Sequence, residues 1–163
     1  IARIIFRPIS RLIDVTRIRE GELSWGLTRL LGVPQPLEAH MEVTPTGWVR
    51  NTKWQRGVSF REVITDSREA RFLRWTFDFP PSAVPEGVLD DHVRIGGRYF
   101  GLIDGGYSLE PSDDGGTRLV LRTQYRVTAR PSLYARYWAW LIMSDFHRVI
   151  LDLIHDRSEH MSR

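Results

Sequence analysis

The sequence contains no cysteine, and this absence excludes disulfide bonds and thiolate chemistry. It also contains only one lysine, Lys53, so nearly all of the 23 basic side chains are arginines, against 20 acidic ones. The arginines alternate with acidic residues instead of forming a basic stripe, and we therefore expect no nucleic-acid partner. Because a chain without cysteine fits a reducing compartment, we expect a cytoplasmic location.

No secretory signal is visible, and the apolar segment IARIIF (residues 1–6) is too short to span a bilayer, which needs about 20 residues. The chain starts with Ile1 rather than methionine. We expect membrane association only if an upstream segment is missing and IARIIF is the end of a longer hydrophobic stretch.

The motifs of several large enzyme classes are missing. There is no Walker loop, no GxGxxG, no HExxH and no His cluster at metal-ligand spacing, so we expect neither a metal ion nor a cofactor. The best candidates for a pair of metal ligands are Asp145 and His147. Residues i and i+2 of a helix point to different sides, which favours a structural role for this pair.

The 163 residues predict a single domain, 1–163, whose N-terminus is possibly truncated. Apolar residues at a spacing of two predict strands, at residues 1–6, 37–43, 48–54, 58–65, 72–79, 92–95, 99–110 and 117–128. Two short helices are expected at residues 11–19 and 24–31, each followed by a glycine. A long helix is expected from residue 133 to about 159, after an N-cap at Ser132.

This order of elements predicts an α+β fold in which a strongly bent antiparallel sheet of about seven strands wraps around a long C-terminal helix. Three pairs of glycines, at residues 96–97, 105–106 and 115–116, favour β-bulges where the sheet bends. The concave face of such a sheet is the surface that the long helix is expected to cover.

The segment GGRYFGLIDGGYSLEPSDDGGTRLVLRTQYRV, followed by YARYWAWLIMSDFHRVILDLIHDRSEH, resembles the START/polyketide-cyclase (SRPBCC) superfamily. WGLTRLLGVPQPLEAHM is similar to bacterial members described as polyketide cyclase/dehydrase-like. The resemblance implies the helix-grip fold of the birch pollen allergen, with a deep apolar cavity between sheet and helix. It implies a hydrophobic or amphipathic ligand, but no fixed catalytic motif, because the superfamily includes carriers as well as cyclases.

The hairpin VRNTKWQRGVSFREVI (residues 49–64) places two opposite charges on an apolar face. If Gln55-Arg56-Gly57 is a three-residue loop with Gly57 in the left-handed conformation, Arg50 pairs with Glu62 across the two strands. The turn at residues 44–47 gives an independent check, because it pairs Met41 with Arg50. On its other side Glu62 is expected to neighbour Trp75, so that both charged side chains point inward.

Two interpretations of this pair stay open. A buried arginine and carboxylate can form a salt bridge that joins two strands, or they can form a polar anchor for a ligand in an apolar cavity. In the second case Arg50 binds a ligand oxygen, while Glu62 accepts a hydroxyl or acts as a base. The catalytic candidates are therefore Glu62 and Arg50, with Tyr125 as a proton donor.

Further residues are expected to line the cavity because they lie on the inward faces of their strands, on the helix stripe or at the cavity mouth. With the charged pair, the predicted ligand-binding set is Arg50, Thr52, Trp54, Phe60, Glu62, Trp75, His92, Tyr107, Thr123, Tyr125, Ile142 and Phe146. His92 follows a proline-rich loop and is expected at the mouth, where a surface position is the plainer interpretation.

Three functions remain as alternatives. The first is binding of a hydrophobic or amphipathic small molecule without catalysis. The second is a metal-independent lyase or isomerase of the cyclase, dehydratase or aldol type that uses Arg50 and Glu62. The third is a ligand-sensing or interaction module of a longer protein, suggested by the start at Ile1 and the apolar segment that follows it.

Overall fold

The computed structural model describes residues 26–68, 71–113 and 117–161. Within these ranges the chain forms an α+β fold, in which a six-stranded antiparallel sheet is followed by one long C-terminal helix. The elements in chain order are α1 (Leu27–Leu30), β1 (Pro36–Thr44), β2 (Gly47–Trp54), β3 (Ser59–Arg68), β4 (Phe72–Asp78), β5 (Phe100–Pro111), β6 (Thr117–Val127) and α2 (Ser132–Met161).

The strands lie in the sheet in the order of the chain, and each pairs antiparallel with the next. Side chains alternate between the two faces, as in β4, where Leu73 and Trp75 are buried while Arg74 and Thr76 are exposed. The predicted α+β class with an antiparallel sheet is therefore confirmed. The described sheet has six strands rather than about seven, and the predicted strand at residues 1–6 lies outside the described residues.

The strand predicted at residues 92–95 is wrong, because this segment forms turns. Val93 donates its backbone N–H to the Asp90 carbonyl, and Gly97 donates to the Arg94 carbonyl. Gly96 has a left-handed backbone with φ of 76°, which a continuing strand does not tolerate. The apolar residues of this long connection instead pack inward: Ala83 and Val84 form a small core with Val58 and Phe60.

The bulges of the sheet do not fall at the glycine pairs. One lies in β5 between Leu102 and Asp104, and another in β3 between Ile64 and Asp66. Gly105 and Gly106 pair regularly with β4 and β6, the pair at 96–97 lies in a turn, and residues 115–116 lie outside the described residues. The sheet thus contains bulges as predicted, but they do not lie at the glycine pairs 96–97 and 105–106.

Helix α2 begins one residue before the predicted start and runs along the face of the sheet that carries the apolar side chains. In its C-terminal half Ile154 is buried in the main core with Leu73, Trp75, Tyr107 and Leu119. Neither helix in the described ranges has the length and apolar content that crossing a membrane requires.

Asp145, in the middle of α2, forms the hydrogen bonds that connect this helix to α1. Its Oδ2 accepts the Thr28 backbone N–H at 2.8 Å and the Thr28 hydroxyl at 2.9 Å. Burial raises the pKa of this carboxyl, but the bonds from Thr28 and Arg148 outweigh burial and leave the pKa below its ordinary value. The predicted helix at 24–31 is described only from residue 26 on and is short, and the helix predicted at 11–19 lies outside the described residues.

Candidate functional site

A cavity of about 630 Å³ lies between the sheet and the N-terminal half of α2. Its volume falls within the range of small-molecule sites, roughly 300–1,000 Å³, and far exceeds the voids that core packing normally leaves. Its lining is mostly apolar and includes many aromatic side chains, among them Trp54, Phe60, Trp75, Phe77, Phe100, Tyr107, Trp138 and Phe146. The site is therefore a large apolar chamber.

Arg50 and Glu62 lie at the cavity wall as the hairpin predicts. They are register partners in β2 and β3, and Met41 is the partner of Arg50 on the other side. Gly57 has the expected left-handed φ of 76°. The prediction that Glu62 neighbours Trp75 is wrong, because Glu62 lies opposite Phe77 and the partner of Trp75 is Ile64, two residues further along β3. Phe77 points to the same face, so Glu62 still points inward.

The charged pair is almost completely removed from solvent: Arg50 is 6% exposed and Glu62 is 8% exposed. Arg50 Nε donates to Glu62 Oε2, and the guanidinium lies 4.8 Å from the centroid of the Trp75 ring. Burial lowers the pKa of Arg50, but the Glu62 carboxylate and the Tyr107 oxygen outweigh burial and raise it above its ordinary value. Arg50 is therefore a permanent cation.

Tyr107 completes this cluster from β5. It is buried, and Arg50 hydrogen-bonds to its oxygen. Burial raises the pKa of the Tyr107 hydroxyl, as does Glu62, and the opposing effect of Arg50 does not cancel them. Tyr107 is thus a neutral phenol at physiological pH, whose oxygen accepts from Arg50 and whose proton remains available for donation.

A second polar pair also lines the cavity. The Thr123 hydroxyl of β6 lies 2.9 Å from His147 Nε2 of α2, and both residues line the cavity. Burial lowers the pKa of His147, which favours the neutral imidazole. Asp145 points instead toward α1, so the expected divergence of Asp145 and His147 on the helix is observed.

Most of the predicted ligand-binding set comes together in the cavity lining: Arg50, Thr52, Trp54, Phe60, Glu62, Trp75, His92, Tyr107, Thr123, Ile142 and Phe146. Tyr125 is the exception. It contacts Phe100 and borders a separate depression with Arg136, Tyr137 and Trp140. Thr52 has its hydroxyl bonded to the Phe60 carbonyl at 2.9 Å, which ties the hairpin together.

The mouth of the cavity is formed by three segments that are far apart in sequence. His92 lies there as expected: it is exposed, stacks on Tyr99 at 4.8 Å and accepts or donates a hydrogen bond with Asp90. Leu31, Val93 and Tyr134 also line the cavity while remaining well exposed. Exposed apolar side chains thus surround the opening.

Several lining residues were not predicted, among them Phe77, Leu121, Trp138 and His147. Phe77 and Leu121 share the alternation of Trp75 and Thr123, and this alternation was the signal that could have identified them. His147 and Met143 widen the helix stripe of Ile142 and Phe146 by one residue on its edge. No simple pattern indicates that edge, because it depends on how α2 is rotated over the sheet.

Two indole groups of the wall have unused donors. In the part of the chain that the structure describes, the buried Nε1 atoms of Trp54 and Trp75 have no hydrogen-bond partner. Likewise, no group of three or more metal-ligating side chains occurs among the described residues. The chemical resources of the cavity are therefore hydrogen-bond donors, one ion pair and aromatic surface.

The chain gives no significant match to any protein-family model, curated protein or solved structure. What the cavity binds therefore has to be inferred from its own side chains.

Proposed function

We propose that this protein binds a hydrophobic or amphipathic small molecule in the cavity between the sheet and α2. The observation that carries the proposal is a chamber of about 630 Å³ whose mostly apolar lining includes many aromatic rings and two small polar groups, Arg50–Glu62–Tyr107 and Thr123–His147. Apolar pockets with a few convergent polar groups are typical ligand sites. The resemblance of the sequence to the START/polyketide-cyclase superfamily supports the same proposal, as do the curved sheet and long helix of a helix-grip arrangement.

The mouth supports uptake of such a ligand. Leu31, Val93 and Tyr134 are 48%, 51% and 64% exposed, although each also lines the cavity. An apolar path therefore leads from the surface into the chamber, and contiguous exposed apolar surface usually marks a binding site.

A cavity-filling substitution tests the proposal. Ile142 lines the chamber, so the larger ring of Ile142→Trp should take up part of the ligand's space and reduce the thermal stabilisation that a panel of lipophilic compounds gives the wild-type chain. Leu133→Trp is the matched control, because it adds the same ring to α2 at a side chain that is 81% exposed and outside the cavity. No shift from any compound with wild-type protein, or equal shifts with Ile142→Trp, would refute the proposal.

A second candidate function is a metal-independent enzyme of the cyclase, dehydratase or aldol type. It is favoured by the Glu62 carboxylate lying beside the donors Arg50 and Tyr107, since a base next to donors can remove a proton α to a ligand carbonyl. Such an enzyme should catalyse deuterium exchange at the α-carbon of a bound ketone, measured by NMR. Exchange no faster than in buffer, or unchanged in Glu62→Gln, would exclude this function.

A further inference from the structure

The inner end of the cavity is the part lined by Arg50, Glu62 and Tyr107. We infer that it selects uncharged ligands that carry a hydrogen-bond acceptor oxygen, such as ketones and esters, and rejects carboxylates and phosphates. The inference rests on the proposed function, because it names the class of ligand for the same cavity. An arginine in an apolar pocket ordinarily indicates an anionic ligand. Here the geometry points the other way.

The inner end of the cavity is already electrically neutral. The charge of Arg50 is matched by Glu62, its hydrogen-bonded partner across the hairpin. The lining also contains the buried Tyr107 and the half-buried His147, and burial favours the uncharged form of each. A carboxylate placed beside this pair would bring a third charge with no counterion into a poorly solvated space, which is strongly unfavourable.

The unused hydrogen-bonding capacity consists mostly of donors. Among the described residues, the indole N–H groups of Trp54 and Trp75 have no partner, and Tyr107 keeps its proton while its oxygen accepts from Arg50. Among the acceptors, Glu62 Oε2 accepts from Arg50, and Thr123 and His147 bond to each other. Because a buried donor without a partner costs free energy, a ligand that supplies an acceptor oxygen is favoured.

A cation at the mouth differs from Arg50 because it remains in contact with water. Arg130 borders the cavity on an exposed stretch of backbone, and it can meet an anionic group without taking it out of water. A long-chain acid could therefore bind with its carboxylate at the mouth. The test has to separate this arrangement from binding at the inner end.

Matched pairs of compounds make the test. Naphthyl, phenanthryl and undecyl skeletons are each compared as methyl ketone and as carboxylate at neutral pH, with affinities measured by calorimetry on the wild-type chain. We expect each ketone to bind at least about tenfold more tightly than its acid. Acids that bind as well as ketones would overturn the inference, whereas no binding by either class would overturn the proposed function itself.

Glu62→Gln removes the negative charge beside Arg50 and provides a second test. It removes the carboxylate that accepts a hydrogen bond from Arg50, so the affinity of acids relative to ketones should rise at least about tenfold. Asp78→Asn is the matched control, because it removes the carboxylate of the exposed Arg61–Asp78 pair on the outer face and should leave the ratio unchanged. A ratio that responds to Arg130→Gln but not to Glu62→Gln would place acids at the mouth and contradict the reversal.

If Glu62→Gln does not fold, the double variant Arg50→Met with Glu62→Leu removes both charges together. Replacing a buried ion pair with apolar residues of similar size often preserves the fold. The preference for ketones should persist in this variant, because its interior is again neutral. A gain of acid binding there would contradict the inference.

Discussion

Arg61 and Glu62 show how adjacent residues of one strand, β3, take part in two ion pairs with different consequences. Arg50–Glu62 joins β2 to β3 on the inner face, and Arg61–Asp78 joins β3 to β4 on the outer face. Adjacent residues of a strand point to opposite faces, so Glu62 is buried while Arg61 is exposed. The exposed pair contributes at most about 1 kcal/mol, whereas loss of one partner of a buried pair costs about 3–5 kcal/mol.

His147 predicts how stability depends on pH. Burial lowers its pKa in the folded chain, so below the ordinary value of about 6.5 the unfolded chain holds more protons than the native one. Stability therefore rises with pH in this window and is lost as the pH falls below about 6.5. His147→Gln should reduce that loss, because glutamine can still bond to Thr123 but does not titrate. Urea unfolding at neutral and mildly acidic pH measures the difference.

The control for this prediction is His155→Gln in the same helix, where the side chain is 40% exposed. It should retain the pH dependence of the wild-type chain. The Asp145 carboxyl titrates in a separate window, because its lowered pKa makes it lose its stabilising charge only at more acidic pH. Equal pH dependence in wild-type and His147→Gln would refute the role given to His147.

At the scale of elements, the sequence predicted the parts of the sheet that short turns determine. The loops at residues 44–47 and 55–57 set the register of β1, β2 and β3, and the pairs Met41–Arg50 and Arg50–Glu62 followed from them. The β3–β4 register was missed by two residues, because the sequence between these strands, DSREAR (residues 66–71), contains no glycine or proline that would mark the turn. The bond from Thr28 to Asp145 joins residues 117 positions apart, and only tertiary packing creates it.

The long connection after β4 shows a second limit of prediction. Residues 92–95 alternate like a strand, but a strand forms only where a neighbour offers backbone partners. In this segment the carbonyls of Asp90 and Arg94 instead close local turns. Val93 and Ile95 instead line the cavity, and local alternation does not distinguish this position from a position in the sheet.

Two glycines of strand β5, Gly105 and Gly101, are expected to differ in how strongly substitution by alanine destabilises the protein. A Cβ on Gly105 would lie 2.7 Å from the Trp75 ring, whereas on Gly101 the nearest atom, of Arg126, would be 3.6 Å away. Neither position has a left-handed backbone, so space alone separates them. Gly105→Ala should destabilise by about 1–3 kcal/mol and shift the tryptophan fluorescence, while Gly101→Ala should change stability by less than about 1 kcal/mol. Chemical denaturation followed by fluorescence measures both.

Equal effects of the two alanines would mean that the close packing of Trp75 on Gly105 is not what shapes this wall. The comparison matters for function, because a ring pushed away from Gly105 has only the cavity to move into. Gly105→Ala should therefore also weaken binding of the larger skeletons among the ketones, while Gly101→Ala leaves binding unchanged.

At the scale of the whole molecule, α2 has two halves with different support. Its C-terminal half packs into the main core, where Ile154 and Val149 are almost fully buried. Its N-terminal half covers the cavity through Trp138, Ile142 and Phe146, and its outward side exposes Leu133 and Trp140. The N-terminal half of α2 therefore lacks the side-chain contacts that a packed core would give it. The cavity lies in that place, and a ligand can fill it.

This division predicts where ligand binding stabilises the chain. Segments with few buried contacts open most readily, so in the empty protein the amides of residues 133–146 should exchange with deuterium faster than those of residues 147–157. A bound ketone stabilises the closed state by mass action, and at a concentration of about 100 Kd it should slow exchange in the first half by up to about 100-fold. The second half should change little, because its support does not depend on the ligand. Hydrogen exchange followed by mass spectrometry resolves the two halves. Ile142→Trp, whose ring takes up part of the ligand's space, should exchange more slowly than the wild-type chain in residues 133–146 without any compound. Uniform protection along the whole helix would instead mean that α2 opens as a single unit, and that the cavity does not divide it.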